Sequence, residues 1–183
     1  MEKEEFLKKI NIELKISKNS NYTLRNYLRA NLELLEFCNK KPIDITSDDV
    51  KAFMAEKLTN QSPSSIIVFL SALRFAYSTI LKKDITLDIK RPKRENRIPV
   101  VLTKEEVRKL INSTSNKKSK LMISLLYACG FRVSELINLK IKDLDFNEKI
   151  GHVRQAKGKK DRVFNIPNFL NQEIKEQVEE QKK

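Results

Sequence analysis

The feature that most constrains the fold is the stretch IKRPKRENRIP at positions 89–99. The stretch contains two prolines, five basic residues and one acidic residue, and the prolines disfavour a helix through it. It therefore predicts an extended linker, which divides the chain into domains at 1–88 and 102–183, with 89–101 between them. An extended basic segment also suits contact with a phosphate backbone. A solvated hinge without a partner is the alternative.

Apolar residues recur at helical spacing in four segments before the linker. The first is anchored by Phe6, Ile10 and Leu14, and the fourth begins with Ser62 as a cap and Pro63 at the first helical position. The segments lie near 3–16, from KNSN to about 39, after the N-cap Thr46, and from Ser62 to about 81. Four such helices predict a small helical bundle.

The region after the linker mixes helices and strands. Thr103 and Glu106 have the spacing of a capping box and open an amphipathic helix. Further segments are predicted as helices at 117–129, 132–140 and 168–182, and as strands in KIGHVRQ and DRVFNIP on either side of the turn AKGKKD. The predicted fold class is mainly α, with a small antiparallel β-hairpin or sheet in an α+β second domain.

The charge balance points to a polyanionic partner. The chain has 37 basic and 24 acidic residues, a net charge of +13. Residues 1–91 contribute +4 and residues 92–183 contribute +9. Such a surplus favours nucleic acid, with solubility as the alternative explanation.

The residues that bind soft metals are few and scattered. Cys38 and Cys129 are far apart, and His152 is the one histidine, so a zinc or iron–sulfur site and any other cofactor are not expected. The cysteines are typical of buried thiols in a reducing compartment. The charged N-terminus lacks a signal-peptide pattern, and Arg74 interrupts the most apolar stretch, 66–81. These features predict a cytoplasmic protein without membrane association.

Two stretches carry candidate chemistry. In GFRVSEL, Gly130 can end a helix, and Arg132 with the next helix N-terminus can bind an oxyanion, while Glu135 can hold the guanidinium. An ordinary ion pair at a helix start is the alternative. The basic turn places a lysine at a hairpin tip, where it can protonate a leaving alkoxide if it is desolvated. A solvated loop is the alternative for Lys157, Lys159, Lys160 and Arg162.

Together the two stretches resemble the tyrosine recombinase/integrase family, in particular the Xer-type recombinases of archaea and bacteria. The resemblance rests on YACGFRVSELINLKIKDLDF, followed by AKGKKDRVFNIP. NYTLRNYLRANLELLEFC and SPSSIIVFLSALRFAY resemble the family's helical, SAM-like core-binding domain. The resemblance implies that residues 102–183 are the N-terminal part of the catalytic domain.

The resemblance also implies a reaction. Family members cleave and rejoin DNA through a phosphotyrosine intermediate, without a metal, and assemble as tetramers on double-stranded DNA. It assigns the first catalytic arginine to Arg132, the hairpin lysine to Lys157 and a supporting role to Glu135. Ala156 departs from the glycine that the family has before the lysine.

The family's His-x-x-Arg box and nucleophilic tyrosine have no counterpart in these residues. Gln155, not arginine, stands three residues after His152, and all tyrosines precede the hairpin: Tyr22, Tyr27, Tyr77 and Tyr127. We expect the chain alone to be unable to cleave DNA, as a fragment or a natural truncation of a recombinase. The alternative function is an inactive DNA-binding remnant or regulator. A basic transcription factor or RNA-binding protein of other ancestry would leave the paired motifs unexplained.

Further DNA contacts are predicted at helix starts, in the linker and in the basic turn, where hydroxyl, amide and cationic groups suit phosphate. At the helix starts, Ser64 and Ser65 have the alternative of simply solvating a first turn. The predicted DNA-binding residues are Asn21, Thr23, Arg25, Ser64, Ser65, Lys90, Arg91, Lys93, Arg94, Arg97, Lys159, Lys160 and Arg162.

Overall fold

The computed structural model describes residues 1–93, 98–154 and 161–181. The chain divides into two compact units, Met1–Ile98 and Pro99–Lys183. In the described residues, helices predominate and one three-stranded antiparallel sheet accompanies them. The predicted fold class is therefore confirmed, while the domain bounds 1–88 and 102–183 stay predictions.

The first unit is built from the four helices that the apolar spacing predicted. The helices are α1 (Lys3–Ile16), α2 (Asn21–Cys38), α3 (Ser47–Lys57) and α4 (Pro63–Ala76). A π-helical turn, Tyr77–Leu81, continues α4. The agreement follows from the caps, because Ser62 accepts a hydrogen bond of 3.2 Å from the Ser65 N–H and Thr46 forms a capping box with Asp49.

The core of the first unit lies between α1, α2 and α4. Phe6, Ile10 and Leu14 of α1 are fully buried, as the spacing of four predicted. Asn31 of α2 is also buried, and its side-chain amide donates hydrogen bonds to the Tyr27 carbonyl at 2.8 Å and the Ala72 carbonyl at 3.3 Å. One polar side chain therefore links α2 to α4 inside an apolar core.

The fourth helix and its π-helical extension form a long apolar stretch. Within the described residues, Pro63–Leu81 is the one helix whose length and composition would allow it to cross a membrane. Phe69, Leu70 and Leu73 from this stretch are buried in the core of the first unit. Packing between helices accounts for its apolar character.

The second unit has four helices around one sheet in its described residues. The helices are α5 (Lys104–Ser113), α6 (Lys117–Cys129), α7 (Val133–Ile137) and α8 (Asn171–Glu180), and the strands are β1 (Leu144–Asp145), β2 (Ile150–Val153) and β3 (Arg162–Asn165). The sheet order is β1-β2-β3, and Gly151 of β2 lies opposite Phe164 of β3. The Phe164 ring packs edge-on against Phe131 at 4.6 Å between ring centroids.

Three details of the second unit differ from the sequence-based expectations. The helix predicted at 132–140 is wrong in length: α7 is one turn long, and the Asn138 side chain donates to the Ser134 carbonyl at its end. The two-residue strand β1 was not predicted, because so short a strand has no measurable alternation. The last predicted helix begins as a 3₁₀ turn, Asn168–Leu170.

Candidate active site

The turn between α6 and α7 places Arg132 at the edge of the second unit. Gly130 ends α6 in the left-handed region, at φ 60° and ψ 36°. A Cβ atom at this position would have no neighbouring atom within 4 Å, so the backbone conformation and not a lack of space favours glycine. Phe131 then inserts into the core, while Arg132 stands at the N-cap of α7 with 60% of its side chain exposed. The turn thus buries one residue and presents the next.

Glu135 is the buried anion at the centre of the site, with 3% of its side chain exposed. Its Oε1 accepts a hydrogen bond of 2.6 Å from Arg132 Nη1, and its Oε2 accepts one of 3.0 Å from the Arg132 backbone N–H. Oε2 also accepts a hydrogen bond of 2.8 Å from Arg162 Nη2. The carboxylate is therefore fixed by two guanidinium groups and one backbone amide.

These contacts stabilise the ionised form of Glu135. The hydrogen bond from Arg162 comes first among the causes that lower its pKa from 4.5 to about 2, followed by the backbone N–H of Arg132. Burial opposes this shift but is outweighed. Glu135 is therefore a fixed negative charge at neutral pH and does not serve as a proton donor.

Arg132 is held at one guanidinium nitrogen and remains mostly exposed. A guanidinium has five N–H donors in a planar fork. Glu135 can therefore fix its plane while other donors stay available to an external anion. This geometry suits an oxygen of a phosphate better than a carbonyl, since it combines full charge with several donors.

Arg162 was predicted from the sequence as a DNA contact, and the structure shows it bound inside the protein. Its Nη2 donates to Glu135 and, at 3.2 Å, to the Gly130 carbonyl, and its guanidinium carbon lies 5.5 Å from the centroid of the Phe131 ring. The role as a DNA contact stays a prediction. Sequence spacing did not reveal the pairing, because 27 positions separate Arg162 from Glu135.

The other basic residues predicted for catalysis or DNA contact fall into two groups, those outside the described residues and those that are exposed within them. Lys157, Lys159, Lys160, Arg94 and Arg97 lie outside the described residues. Lys90, Arg91 and Lys93 are exposed. Their predicted roles stay predictions.

A polar cavity of about 450 Å³ lies beside Glu135. Its lining includes the basic groups Lys140, Lys142 and Arg154, which were not predicted as site residues although LKIKD places two lysines close together. Arg154, at the end of β2, donates a hydrogen bond of 2.7 Å to Asp143, whose side chain is 5% exposed. A second buried carboxylate thus holds a second arginine of the sheet.

The two predicted contacts at the start of α4 border a cavity of about 430 Å³ in the first unit, whereas Asn21, Thr23 and Arg25 of α2 are not among its lining residues. Ser64 and Ser65 line it from α4, and Tyr22, Asn26 and Arg29 line it from α2. These three residues of α2 were missed, although Tyr22 and Asn26 are next to predicted residues and Arg29 lies one helical turn after Arg25. Whether a residue lines the cavity depends on the helix face on which it lies, and its position near the helix start does not determine that face.

The remaining predicted residues of the α2 start have local partners or are exposed. Asn21 is exposed, and the Arg25 guanidinium carbon lies 5.7 Å from the centroid of the Tyr22 ring. The Thr23 N–H donates to Ser20 Oγ at 3.1 Å, so Thr23 takes part in capping α2. Its capping role does not depend on DNA.

Tyr77 is fully buried, and burial raises the pKa of its phenol far above the ordinary value, so it is not available as a nucleophile. In the part of the chain that the structure describes, no group of three or more His, Cys, Asp or Glu side chains could hold a metal ion.

Comparison with known families matches both units. Residues 100–183 match the phage integrase family, and residues 6–87 match the phage integrase N-terminal SAM-like domain. The chain belongs to the phage integrase family. Arg132 and Glu135 lie in the part that matches the first of these descriptions, and the helix starts of α2 and α4 lie in the part that matches the second.

Phage integrase relatives of known name are longer than this chain. The tyrosine recombinase XerA of Thermococcus kodakarensis is 33% identical over 181 residues, which are 97% of this chain and 63% of that protein. An integrase/recombinase of Escherichia coli is 35% identical over 144 residues, which are 76% of this chain and 42% of that protein. The chain therefore spans 42% to 63% of the length of these two relatives.

The fold of this phage integrase chain is also found in solved structures. A lambda integrase(75–356) dimer bound to a COC′ core site matches with a TM-score of 0.75 and 20% identity, over 90% of this chain and 62% of that chain. The Tn1549 transposon integrase in complex with transposon right end DNA matches with a TM-score of 0.69 and 17% identity, over 96% and 65%. At this identity the likeness shows the fold alone.

Proposed function

We propose that the chain acts in site-specific DNA recombination, as part of a protein that cleaves and rejoins DNA through a phosphotyrosine intermediate. The observation that carries the proposal is the arrangement of Arg132 on the buried carboxylate of Glu135, within a chain of the phage integrase family. The names of the relatives, which include a tyrosine recombinase and an integrase/recombinase, support it.

Arg132 is the residue that would contact the scissile phosphate. Phosphoryl transfer develops negative charge on the non-bridging oxygens, and a preorganised cation stabilises that charge without reorganisation in the transition state. Glu135 supplies the preorganisation, because its two oxygens hold the Arg132 side chain and backbone at the same time. The exposed remainder of the guanidinium is where a phosphate oxygen would bind.

Lys157 is proposed as the general acid that protonates the leaving 5′ oxygen. It lies outside the described residues, so this role rests on the resemblance of AKGKKDR to the family's hairpin motif. Lysine suits the task because its pKa falls readily when it is desolvated. No cofactor is required for this chemistry, and none is proposed.

Double-stranded DNA is the proposed partner, together with other recombinase subunits in a tetramer on the DNA, in the cytoplasm. In the first unit, the cavity between α2 and α4 would receive the backbone, through Ser64, Ser65 and Arg29. Arg25, beside Tyr22, is proposed as a further phosphate contact. The net charge of +13 supports this partner, since neutralised phosphates release counterions. Lys90, Arg91 and Lys93 are proposed as additional phosphate contacts.

A DNA-binding regulator without cleavage activity is the second candidate. It is favoured by the state of Tyr77, which is fully buried. The two candidates differ in the coding DNA after position 183, where an in-frame His-x-x-Arg box and a tyrosine would favour the recombinase and a stop codon the regulator. Both predict the same result for the chain alone. Incubation of residues 1–183 with a suicide DNA substrate should give no covalent adduct, and an adduct would show that one of the chain's tyrosines is a nucleophile.

The proposed role of Arg132 is tested by DNA affinity as a function of salt. Arg132→Ala should weaken binding to a duplex and lower the salt slope by about one, as expected for one lost phosphate contact. Arg108→Ala is the charge-matched control, since Arg108 is an exposed arginine on α5 of the same unit. Equal effects of the two substitutions would contradict a specific phosphate contact at Arg132 and favour the regulator.

A further inference from the structure

Glu135 binds two arginines that come from different parts of the second unit. Arg132 lies three positions before it on the same turn, whereas Arg162 lies 27 positions after it at the start of β3. Each carboxylate oxygen has a separate role. Oε1 accepts from the Arg132 side chain, and Oε2 accepts from the Arg132 backbone and from Arg162.

We propose that Arg162 is a positioning residue for the reaction: by fixing Glu135 from the sheet, it determines where the Arg132 guanidinium lies. This inference rests on the proposed function for its purpose, because Arg132 is the residue that would contact the phosphate. Arg162 itself acts through Glu135 and need not touch the DNA.

The local pair alone would leave the orientation of Arg132 loosely defined. Helical ion pairs between residues three or four apart contribute little, and an exposed arginine loses side-chain entropy when it is held in one geometry. A hydrogen bond from Arg162 to Oε2 stops the carboxylate from rotating about its terminal bond. Oε1 is then left in one direction, in which it meets Arg132 Nη1 at 2.6 Å.

Arg162 is itself held on three sides. Its guanidinium lies over the Phe131 ring, its Nη2 donates to the Gly130 carbonyl as well as to Glu135, and 35% of its side chain is exposed. Phe131 packs on Phe164, which is two residues after Arg162 on the same strand. The strand, the end of α6 and the start of α7 are thus joined in one closed set of contacts.

Within residues 98–154 and 161–181, charged groups from several elements surround Glu135. Arg132 comes from the start of its own helix and Arg162 from β3. At the end of α6, burial raises the pKa of the Cys129 thiol, and the positive charge of Arg162 partly opposes this shift. The adjoining cavity adds further charged and titratable groups: Lys140, Lys142, Asp143, His152 and Arg154. Of these, Arg154 donates to Asp143. Glu135 accepts no hydrogen bond from Arg154 among the described contacts, which makes Arg154 a suitable control position.

The test is a carboxyl ¹³C titration of Glu135 in the 183-residue chain, without DNA. Arg162→Gln should raise the pKa of Glu135 from about 2 toward the ordinary 4.5, because the hydrogen bond from Arg162 is the largest cause of the low value. Arg162→Lys should keep the pKa well below 4.5, since the positive charge remains. Arg154→Gln should leave it at about 2, because Arg154 pairs with Asp143.

The second measurement is the rotation of the Arg132 guanidinium, followed by the ¹⁵N signals of its Nη groups. In the wild type, rotation should stay hindered down to a pH near 2, whereas in Arg162→Gln it should already be faster at neutral pH and should become faster still as the pH falls through about 4.5. Arg162→Lys should show faster rotation at neutral pH as well, because an ammonium lacks the planar fork.

Unchanged Glu135 titration and unchanged Arg132 rotation in Arg162→Gln would overturn the inference. If Arg162→Gln fails to fold, Arg162→Lys decides alone, through the Arg132 rotation at neutral pH: rotation as slow as in the wild type would overturn the inference. Both measurements are independent of DNA. A wild-type chain that binds no DNA would therefore contradict the proposed function, while a shift of the Glu135 titration would still assign Arg162 its control over Glu135 and Arg132.

Discussion

Arg162, at the start of β3, donates a hydrogen bond of 2.8 Å to the carboxylate of Glu135. The same carboxylate holds Arg132 three positions before it. An ion pair between helix residues three or four positions apart is common and contributes little to stability. A buried carboxylate shared by two arginines, in contrast, fixes the orientation of the guanidinium groups that it binds. The candidate active site therefore depends on a long-range contact as well as on the local motif.

Stability at acidic pH should depend on Glu135. Its pKa is about 2 in the folded chain and 4.5 as the ordinary value, so the unfolded chain binds the proton more tightly. The contribution of Glu135 to stability is complete above pH 4.5 and is lost as the pH falls through about 2. Urea unfolding of the wild type and of Glu135→Gln should show a difference in unfolding free energy that shrinks across this window.

Other carboxyl groups with lowered pKa values, such as Asp49 and Glu106, also affect the wild-type curve. They are present in both proteins and cancel in the difference. A difference that is constant between pH 6 and pH 2 would contradict the role of ionised Glu135.

Gly151→Ala should destabilise the second unit. A Cβ at this position would lie 2.5 Å from Cε1 and 3.1 Å from Cε2 of the buried Phe164 ring. Overpacking of this kind costs about 1–3 kcal/mol. Denaturant unfolding measures the loss, and His152→Ala, at an exposed position of the same strand, is the control. The double variant Gly151→Ala/Phe164→Leu should lose less than the sum of the two single changes, and strict additivity would contradict the clash.

Tyr77→Phe should leave the first unit as stable as before or more stable, by up to ~1 kcal/mol. The Tyr77 side chain is fully buried, and its hydroxyl has no hydrogen-bond partner in the described structure. Phenylalanine has nearly the same shape and lacks only the unsatisfied hydroxyl, so the substitution costs little stability. The edge-on contact with Phe6, at 5.1 Å between ring centroids, remains. Thermal unfolding with the exposed Tyr127→Phe as a reference tests this. A large loss of stability would reveal a partner for the hydroxyl.

Arg25→Ala should weaken DNA binding and lower its salt slope by about one, if Arg25 contacts a phosphate. Arg25 stands on the first turns of α2, with its guanidinium carbon 5.7 Å from the centroid of the Tyr22 ring, and Tyr22 lines the cavity of the first unit. Lys15→Ala, in the last turn of α1, removes the same charge from the same unit and should have the smaller effect. Fluorescence anisotropy at several salt concentrations separates the two. Indistinguishable slopes would mean that only net charge matters.

The sequence was most informative where the determining contacts are local. The capping box of Thr103 and Glu106 was predicted from spacing and is present, with the Thr103 N–H donating to Glu106 at 2.8 Å. The pair of Arg132 and Glu135 was predicted in the same way. Such contacts span three residues, so that spacing alone determines whether the side chains can meet.

The sequence was less informative where partners come from distant segments. Arg162 was assigned to DNA because it stands in a basic turn, but its position depends on how β3 packs against α6 and α7. Arg154 and Asp143 were missed for the same reason, since 11 positions separate them. The length of α7 could not be predicted because Leu136 and Leu139 fit helical spacing whether or not the helix continues.

The buried amide of Asn31 affects the exposed starts of α2 and α4. It reaches the Ala72 carbonyl only when α2 and α4 keep one axial register, and sliding by a turn would break this hydrogen bond between the helices inside the core. The distance between the starts of these two helices is therefore set from the interior. Substitutions on the exposed faces can change which side chains contact a ligand there. The spacing between the two helix starts, however, depends on the buried Asn31.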